Sequence, residues 1–171
     1  MSLNDLDPEL ADAAAALVDA AGRAGLQPRV TSTVRTRSEQ ARLYRRFLAG
    51  AAGYPVAPPG FSAHEYGWAF DMVLSPMEAL ADAGYTWQQW GGGWNPRDAI
   101  HFELPGASER AKQQGQLTSI EEPGFWANVI SGLPIAFWPS MLFQILGIPT
   151  AARKTVTPAQ ERELRQIVKG L

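Results

Sequence analysis

The sequence predicts an α+β fold: a small antiparallel sheet flanked by helices, followed by a hydrophobic helical extension at the C-terminus. Three observations predict it. Apolar residues recur at helical spacing in two early segments, each opened by a capping pair. Between and after them lie short stretches rich in β-branched and aromatic residues, without the repeated strand–helix–strand rhythm of a parallel sheet. From Pro123 to Ala152 no residue carries a charge.

Asp7 and Pro8 form an N-cap and first-turn pair, because the aspartate accepts a free helical N–H and the proline gives up one that has no partner. Leu10, Leu17, Val18 and Ala21 continue the helix, and Gly25 ends it. The stretch RVTSTV, residues 29–34, is β-branched and predicts a strand. Thr36 and Glu39 have capping-box spacing and open a helix carrying Leu43, Tyr44, Phe47 and Leu48, closed by Gly50. GAAGYPVAPPGF, residues 50–61, is loop by its glycines and prolines. Residues 68–74 predict a strand, 77–83 a short helix, and 99–104, AIHFEL, another short strand. WGGGW, 90–94, reads as irregular backbone. An amphipathic helix is expected from Pro158 to Lys169, with Thr157 as N-cap and Gln160 at the box position. The change of character after Pro105 divides residues 1–115 from an extension at 116–171.

A chain of 171 residues is long enough for one well-filled core. With a net charge of −2 and no basic stripe, it does not present the footprint of a nucleic-acid binder. There is no cysteine, which removes disulfides, thiolate zinc sites and thiol nucleophiles together. The acidic start MSLNDLDPELADAA lacks a basic segment leading into an apolar one, so no secretory leader is expected there.

The chain's two histidines lie in SAHEYGWAFD, residues 62–71, and RDAIHFEL, residues 97–104. His64, Asp71 and His101 supply two imidazoles and a carboxylate, a donor set that suits an open zinc site with a fourth position for water. The helical H-E-x-x-H signature is absent. Residue type alone leaves two readings: a metal site, or two structural histidines with satisfied rings. Asp98, three residues before His101, is either a carboxylate that moves protons beside a metal or a cap on the turn after Pro96.

The two stretches match S-x-H-x-x-G-x-A-x-D and D-x-x-H-F-E. Paired in this order, they resemble the zinc peptidases of peptidoglycan stem peptides. That family includes D-alanyl-D-alanine carboxypeptidases and dipeptidases, and the L-alanyl-D-glutamate endopeptidases of bacteriophage endolysins. The resemblance covers residues 26–105 and makes residues 1–115 the catalytic domain. It implies Zn²⁺ held in a cleft by His64, Asp71 and His101, with Asp98 as general base and acid. STVRTRSEQ, residues 32–40, resembles the family's S-G-Y-R-S-x-x-x-Q segment. The match puts Arg35 near the substrate, where its fork suits an oxyanion or a carboxylate, and makes Gln40 and Ser62 substrate-side residues. Arg35 as a solvated charge and Ser62 as an ordinary loop serine are the plainer alternatives.

An aspartate at position 98 is frequent in the endopeptidase branch, and a glutamate in the carboxypeptidase branch. The resemblance therefore implies an endolysin-like L-alanyl-D-glutamate endopeptidase. A D,D-carboxypeptidase and a zinc-binding, non-catalytic module of a phage-like particle are its alternatives. Gly67 and Ala69 would let the strand run close to a neighbour. The endolysin-like branch has W-G-G-D-W where this chain has Gly93 between Gly92 and Trp94, and Glu103 is a candidate support for His101. The uncharged stretch 123–152 exceeds the roughly 20 residues of a membrane span, but Asn128, Pro134, Pro139 and Gln144 interrupt it. It is expected to pack on the domain, to contact a membrane, or to anchor the enzyme to an assembly such as a phage tail. Without a leader, release by lysis or delivery by a particle would bring the enzyme to the cell wall.

Overall fold

Short polar residues open the first two helices as expected. In the computed structural model, which describes residues 2–121, Asp7 accepts from the Glu9 N–H at 3.1 Å and starts α1, Pro8–Arg23. Leu10, Ala14, Leu17 and Ala21 form its buried stripe. Gly25, at φ +80°, turns the chain into β1, Arg29–Ser32. The Thr36–Glu39 capping box opens α2, Arg37–Leu48, with the Thr36 N–H donating to the Glu39 carboxylate at 2.8 Å. Then follow β2, Ala69–Val73, α3, Leu80–Gln89, β3, Gly93–Asn95, β4, Asp98–Glu103, and α4, Ala107–Glu121.

The four strands form one antiparallel sheet in the order β1-β2-β4-β3. Its register sets everything that follows. Phe70 pairs with Phe102, and the next pair is Asp71 with His101. Because side chains alternate across a strand, these adjacent pairs point to opposite faces. Phe70, Met72 and Phe102 face the core, where they join Leu10 and Leu17 of α1 and Leu80 and Trp87 of α3. The Phe70 and Phe102 rings stack with centroids 5.3 Å apart, and Trp87 meets both edge-on. Asp71 and His101 take the other face, whose cleft is walled by residues of α2 and α4.

Four elements differ from expectation. β1 stops at Ser32, after a register shift between Val30 and Ser32. Residues 33–35 instead join the loop at His64, whose carbonyl accepts from the Arg35 N–H at 3.1 Å. The third helix begins as a 3-10 turn at Met77–Ala79, where a helix was expected, but continues as α3 to Gln89 rather than ending at 83, because burial of Trp87 outweighs the weak propensities of Gly84 and Thr86. The end of WGGGW is strand, not irregular backbone: Gly93 and Trp94 pair with Glu103 and Phe102. α4 had no counterpart in the sequence reading. Its inner face is Ala107, Ala111 and Gly115, small residues at four-residue spacing. A Cβ on Gly115 would lie 2.6 Å from the Gly60 carbonyl oxygen, so glycine permits this close approach.

α4 runs across the expected boundary at 115/116. The expectations for 123–152 and for the helix at Pro158–Lys169 lie outside the described residues. Among those residues no helix is long and apolar enough to cross a membrane.

Candidate metal centre

Sheet register brings two of the candidate ligands together, and a short turn brings the third. Asp71 and His101 are directly opposed on β2 and β4. His64 sits in the 3-10 turn Ala63–Tyr66, which Gly67 ends in the left-handed region at φ +72°. A side chain at 67 would also crowd the backbone of Asp7, 3.0 Å from the added Cβ. Thus Gly67 serves both a turn and a close approach.

The three donor atoms form an equal-sided triangle. His64 Nε2, His101 Nδ1 and Asp71 Oδ1 are each 3.2 Å from the other two. Zinc bonds nitrogen and oxygen at about 2.0–2.1 Å, so two corners of a tetrahedron around it lie about 3.3–3.4 Å apart. The triangle fits that edge to within about 0.2 Å, the tolerance a metal site requires.

Both rings are oriented from behind. His64 Nδ1–H donates to the Thr33 carbonyl at 2.8 Å, and His101 Nε2–H donates to Glu103 Oε2 at 3.3 Å. Each bond keeps a proton on the outer nitrogen, so that in the neutral ring the inner nitrogen is the one with a free lone pair. His64 therefore offers Nε2, and His101 offers Nδ1.

The local field favours positive charge at the triangle. Burial opposes an imidazolium at His101, but hydrogen bonds and charge from Asp71 and Glu103 outweigh it and push the ring's pKa up to about 9. Burial likewise opposes charge on Asp71 and Glu103. His101 and His64 nonetheless hold Asp71 well below the usual carboxylate range, and His101 and Ser108 lower Glu103. An anionic carboxylate between two imidazoles is the electrostatic setting of a cation.

The remaining sequence-derived residues gather at the same cleft, of about 400 Å³. Arg35 donates from Nη1 to Gln40 Oε1 at 2.8 Å and from Nη2 to Ser32 Oγ at 3.0 Å, and Nη2 lies 3.5 Å from Asp71 Oδ2. Gln40 is 1% exposed, and its Nε2 donates to the Ala57 carbonyl at 2.7 Å. Ser62 is buried in the cleft wall, with its backbone N–H on the Glu65 carboxylate. Asp98 is exposed and lines the same cleft as His101, although three residues along a regular strand would separate their faces. The β3–β4 register shift, after which Asn95 pairs with Asp98, breaks that alternation.

Sequence reasoning missed the α4 wall, Ser108 and Lys112, and the loop wall from Tyr54 to Ala57. It also missed Thr33, which acts through a backbone carbonyl that has no signature in residue type. Gly93 now has a physical account. It pairs across the sheet with Glu103, and a Cβ at 93 would lie 2.8 Å from Glu103 Cγ. The space a side chain would take there belongs to Glu103.

Comparison with known proteins points to one family. A family model described as VanY, D-alanyl-D-alanine carboxypeptidase, matches residues 3–114. Among solved structures, VanYB in complex with D-alanine-D-alanine is 24% identical with a TM-score of 0.50, over 70% of this chain and 78% of that one. A mutant of the vancomycin resistance D,D-pentapeptidase VanY from the VanB-type resistance cassette, in complex with Zn(II), is 23% identical with a TM-score of 0.50. That match spans 63% of this chain and 76% of the other. These two likenesses are of fold. No curated protein sequence matches the chain.

Proposed function

The chain belongs to the VanY family of D-alanyl-D-alanine carboxypeptidases, and from that premise we propose that it is a zinc-dependent peptidase that removes the terminal D-alanine from peptidoglycan stem peptides. The observation that carries the metal assignment is the 3.2 Å triangle of inward-facing donors. His64 Nε2, Asp71 Oδ1 and His101 Nδ1 would hold the ion. Bound there, zinc supplies a Lewis acid and lowers the pKa of its water to about 7.

The chain's own side chains supply the rest. Asp98, at the cleft edge and free of any backbone cap, takes a proton from the attacking water and returns it to the departing amine. A carboxypeptidase must also read a free carboxylate. Arg35 is the fixed cation for it, because Gln40 and Ser32 hold the guanidinium fork in one orientation. Gln40 spends its amide on Arg35 and Ala57, so it acts on the substrate through Arg35. Ser62 offers a hydroxyl from the wall.

The second reading, an L-alanyl-D-glutamate endopeptidase, rests on aspartate rather than glutamate at position 98. Digestion of purified muropeptides, with and without a chelator, separates the two by mass spectrometry. Chelator-sensitive loss of one D-alanine supports the carboxypeptidase. Release of the stem from the glycan supports the endopeptidase. Zinc uptake with neither product overturns both and leaves a zinc-binding module.

A further inference from the structure

On the cleft side of the sheet, Glu103 stands in a row between two small residues. It pairs with Ala69 on β2 and with Gly93 on β3. A glutamate on a strand ordinarily keeps several rotamers, and fixing it costs conformational entropy. Here three contacts fix it. Gly93 clears the space against Cγ. The Trp87 indole N–H donates to the Glu103 carbonyl at 2.9 Å and anchors its backbone. Ser108 Oγ, in the first turn of α4, donates to Glu103 Oε2 at 2.5 Å.

That same Oε2 accepts from His101 Nε2 at 3.3 Å. A bond this long is a weak tether on its own. It orients the ring only if the carboxylate is held still, and of the three contacts the Ser108 hydroxyl is the one made to the carboxylate itself. We infer that Ser108 and Glu103 form a relay from α4 to the metal centre, in which Ser108 fixes Glu103 and Glu103 fixes the tautomer and tilt of His101. Both are positioning residues. The inference rests on the proposed role of His101 as a zinc ligand. It adds that α4, which closes one wall of the cleft, also tunes the ion's affinity.

The test uses the full chain and four variants: Glu103→Ala, Ser108→Ala, Ser108→Thr and the double alanine variant. Zinc affinity is measured by competition with a fluorescent chelator, and the ligand field by the visible spectrum of the Co²⁺-substituted protein. Loss of an outer support for a metal-bound histidine typically costs about 10–100-fold in affinity. Glu103→Ala is expected in that range, with a shifted cobalt spectrum. Ser108→Ala should weaken binding in the same direction by less, and Ser108→Thr, which keeps the hydroxyl, should restore it. The double variant should match Glu103→Ala alone, because Ser108 acts only through Glu103. Wild-type affinity in Ser108→Ala overturns the relay, and so does a further loss from Ser108→Ala when Glu103 is already alanine. A wild-type protein that takes up no zinc overturns the metal centre itself, a separate failure.

Discussion

Zinc should bind this protein more tightly as the pH rises from 7 to 8.5, and the structure sets the size of the effect. As the proposed zinc ligand, His101 has to present a neutral Nδ1 to the ion, but Asp71 and Glu103 raise the ring's pKa to about 9 in the metal-free protein. At pH 7 that ring is protonated by about a hundred to one, so displacing the proton costs about 3 kcal/mol. Each pH unit removes about 1.4 kcal/mol of that cost. Apparent affinity should therefore improve about tenfold per unit, or about 30-fold over this window, with release of a proton. Stability of the metal-stripped protein should move the opposite way. A raised histidine pKa stabilises the fold fully below 6.5 and loses that contribution as the pH rises through 9. The depressed Asp71 stays ionised across the whole window and adds no slope there. Chelator competition at pH 7, 7.75 and 8.5, with thermal melting of zinc-loaded and stripped samples, measures both trends. A zinc affinity that is flat with pH would refute the argument that Asp71 and Glu103 together keep the metal-free His101 ring protonated, with Asp71 facing the proton on Nδ1.

Three further outcomes follow from the same geometry. Asp98→Asn should lower kcat by about 10²–10⁴-fold while zinc stoichiometry by atomic absorption stays at the wild-type value, since in the proposed mechanism Asp98 moves protons and does not hold the ion. Arg35→Lys should raise KM for stem peptides with a free terminal carboxylate by about 10–100-fold, the equivalent of one charged hydrogen bond. A lysine lacks the planar fork whose two nitrogens are held separately by Gln40 and Ser32 while facing a carboxylate; equal KM values for free and amidated termini in the wild-type enzyme would overturn this role. Phe102→Ala should cost about 3–5 kcal/mol by denaturant titration, because Phe102 is fully buried against Phe70 and Trp87.

What could be read from the sequence divides along physical lines. α1 and α2 were legible because their caps are side chains with definite roles: Asp7 before Pro8, and Thr36 reciprocated by Glu39. His64, Asp71 and His101 were legible as a donor set, and pairing the two motifs joined three scattered residues into one candidate site, whose donor atoms the structure brings together. α4 was not legible, because its buried face is built from Ala107, Ala111 and Gly115, which a search for large apolar residues passes over. β3 was hidden for a related reason. Glycine has poor strand propensity, and Gly93 is in the sheet because Glu103 leaves no room opposite it. Ser108 carried no signal at all. Only the turn after Leu104, where the Ala107 N–H donates to the Leu104 carbonyl at 3.0 Å, brings α4 back over Glu103.

The same pairing that buries the core also builds the site. Phe70 opposite Phe102 and Asp71 opposite His101 are consecutive rungs of one ladder. A slip of one residue would turn the ligands into the core and the phenylalanines into the cleft. The cost of such a slip is set by the aromatic rung, not by the polar one, since burial of large rings dominates packing energy. The cluster of Phe70, Phe102 and Trp87 therefore enforces the register in which the two β-strand donors meet, before any ion binds. What the ladder leaves undetermined is the rotation of each imidazole. That is settled from outside the sheet, by the Thr33 carbonyl for His64 and by Glu103 for His101. Packing thus selects which residues converge, and a few hydrogen bonds select which atoms they present.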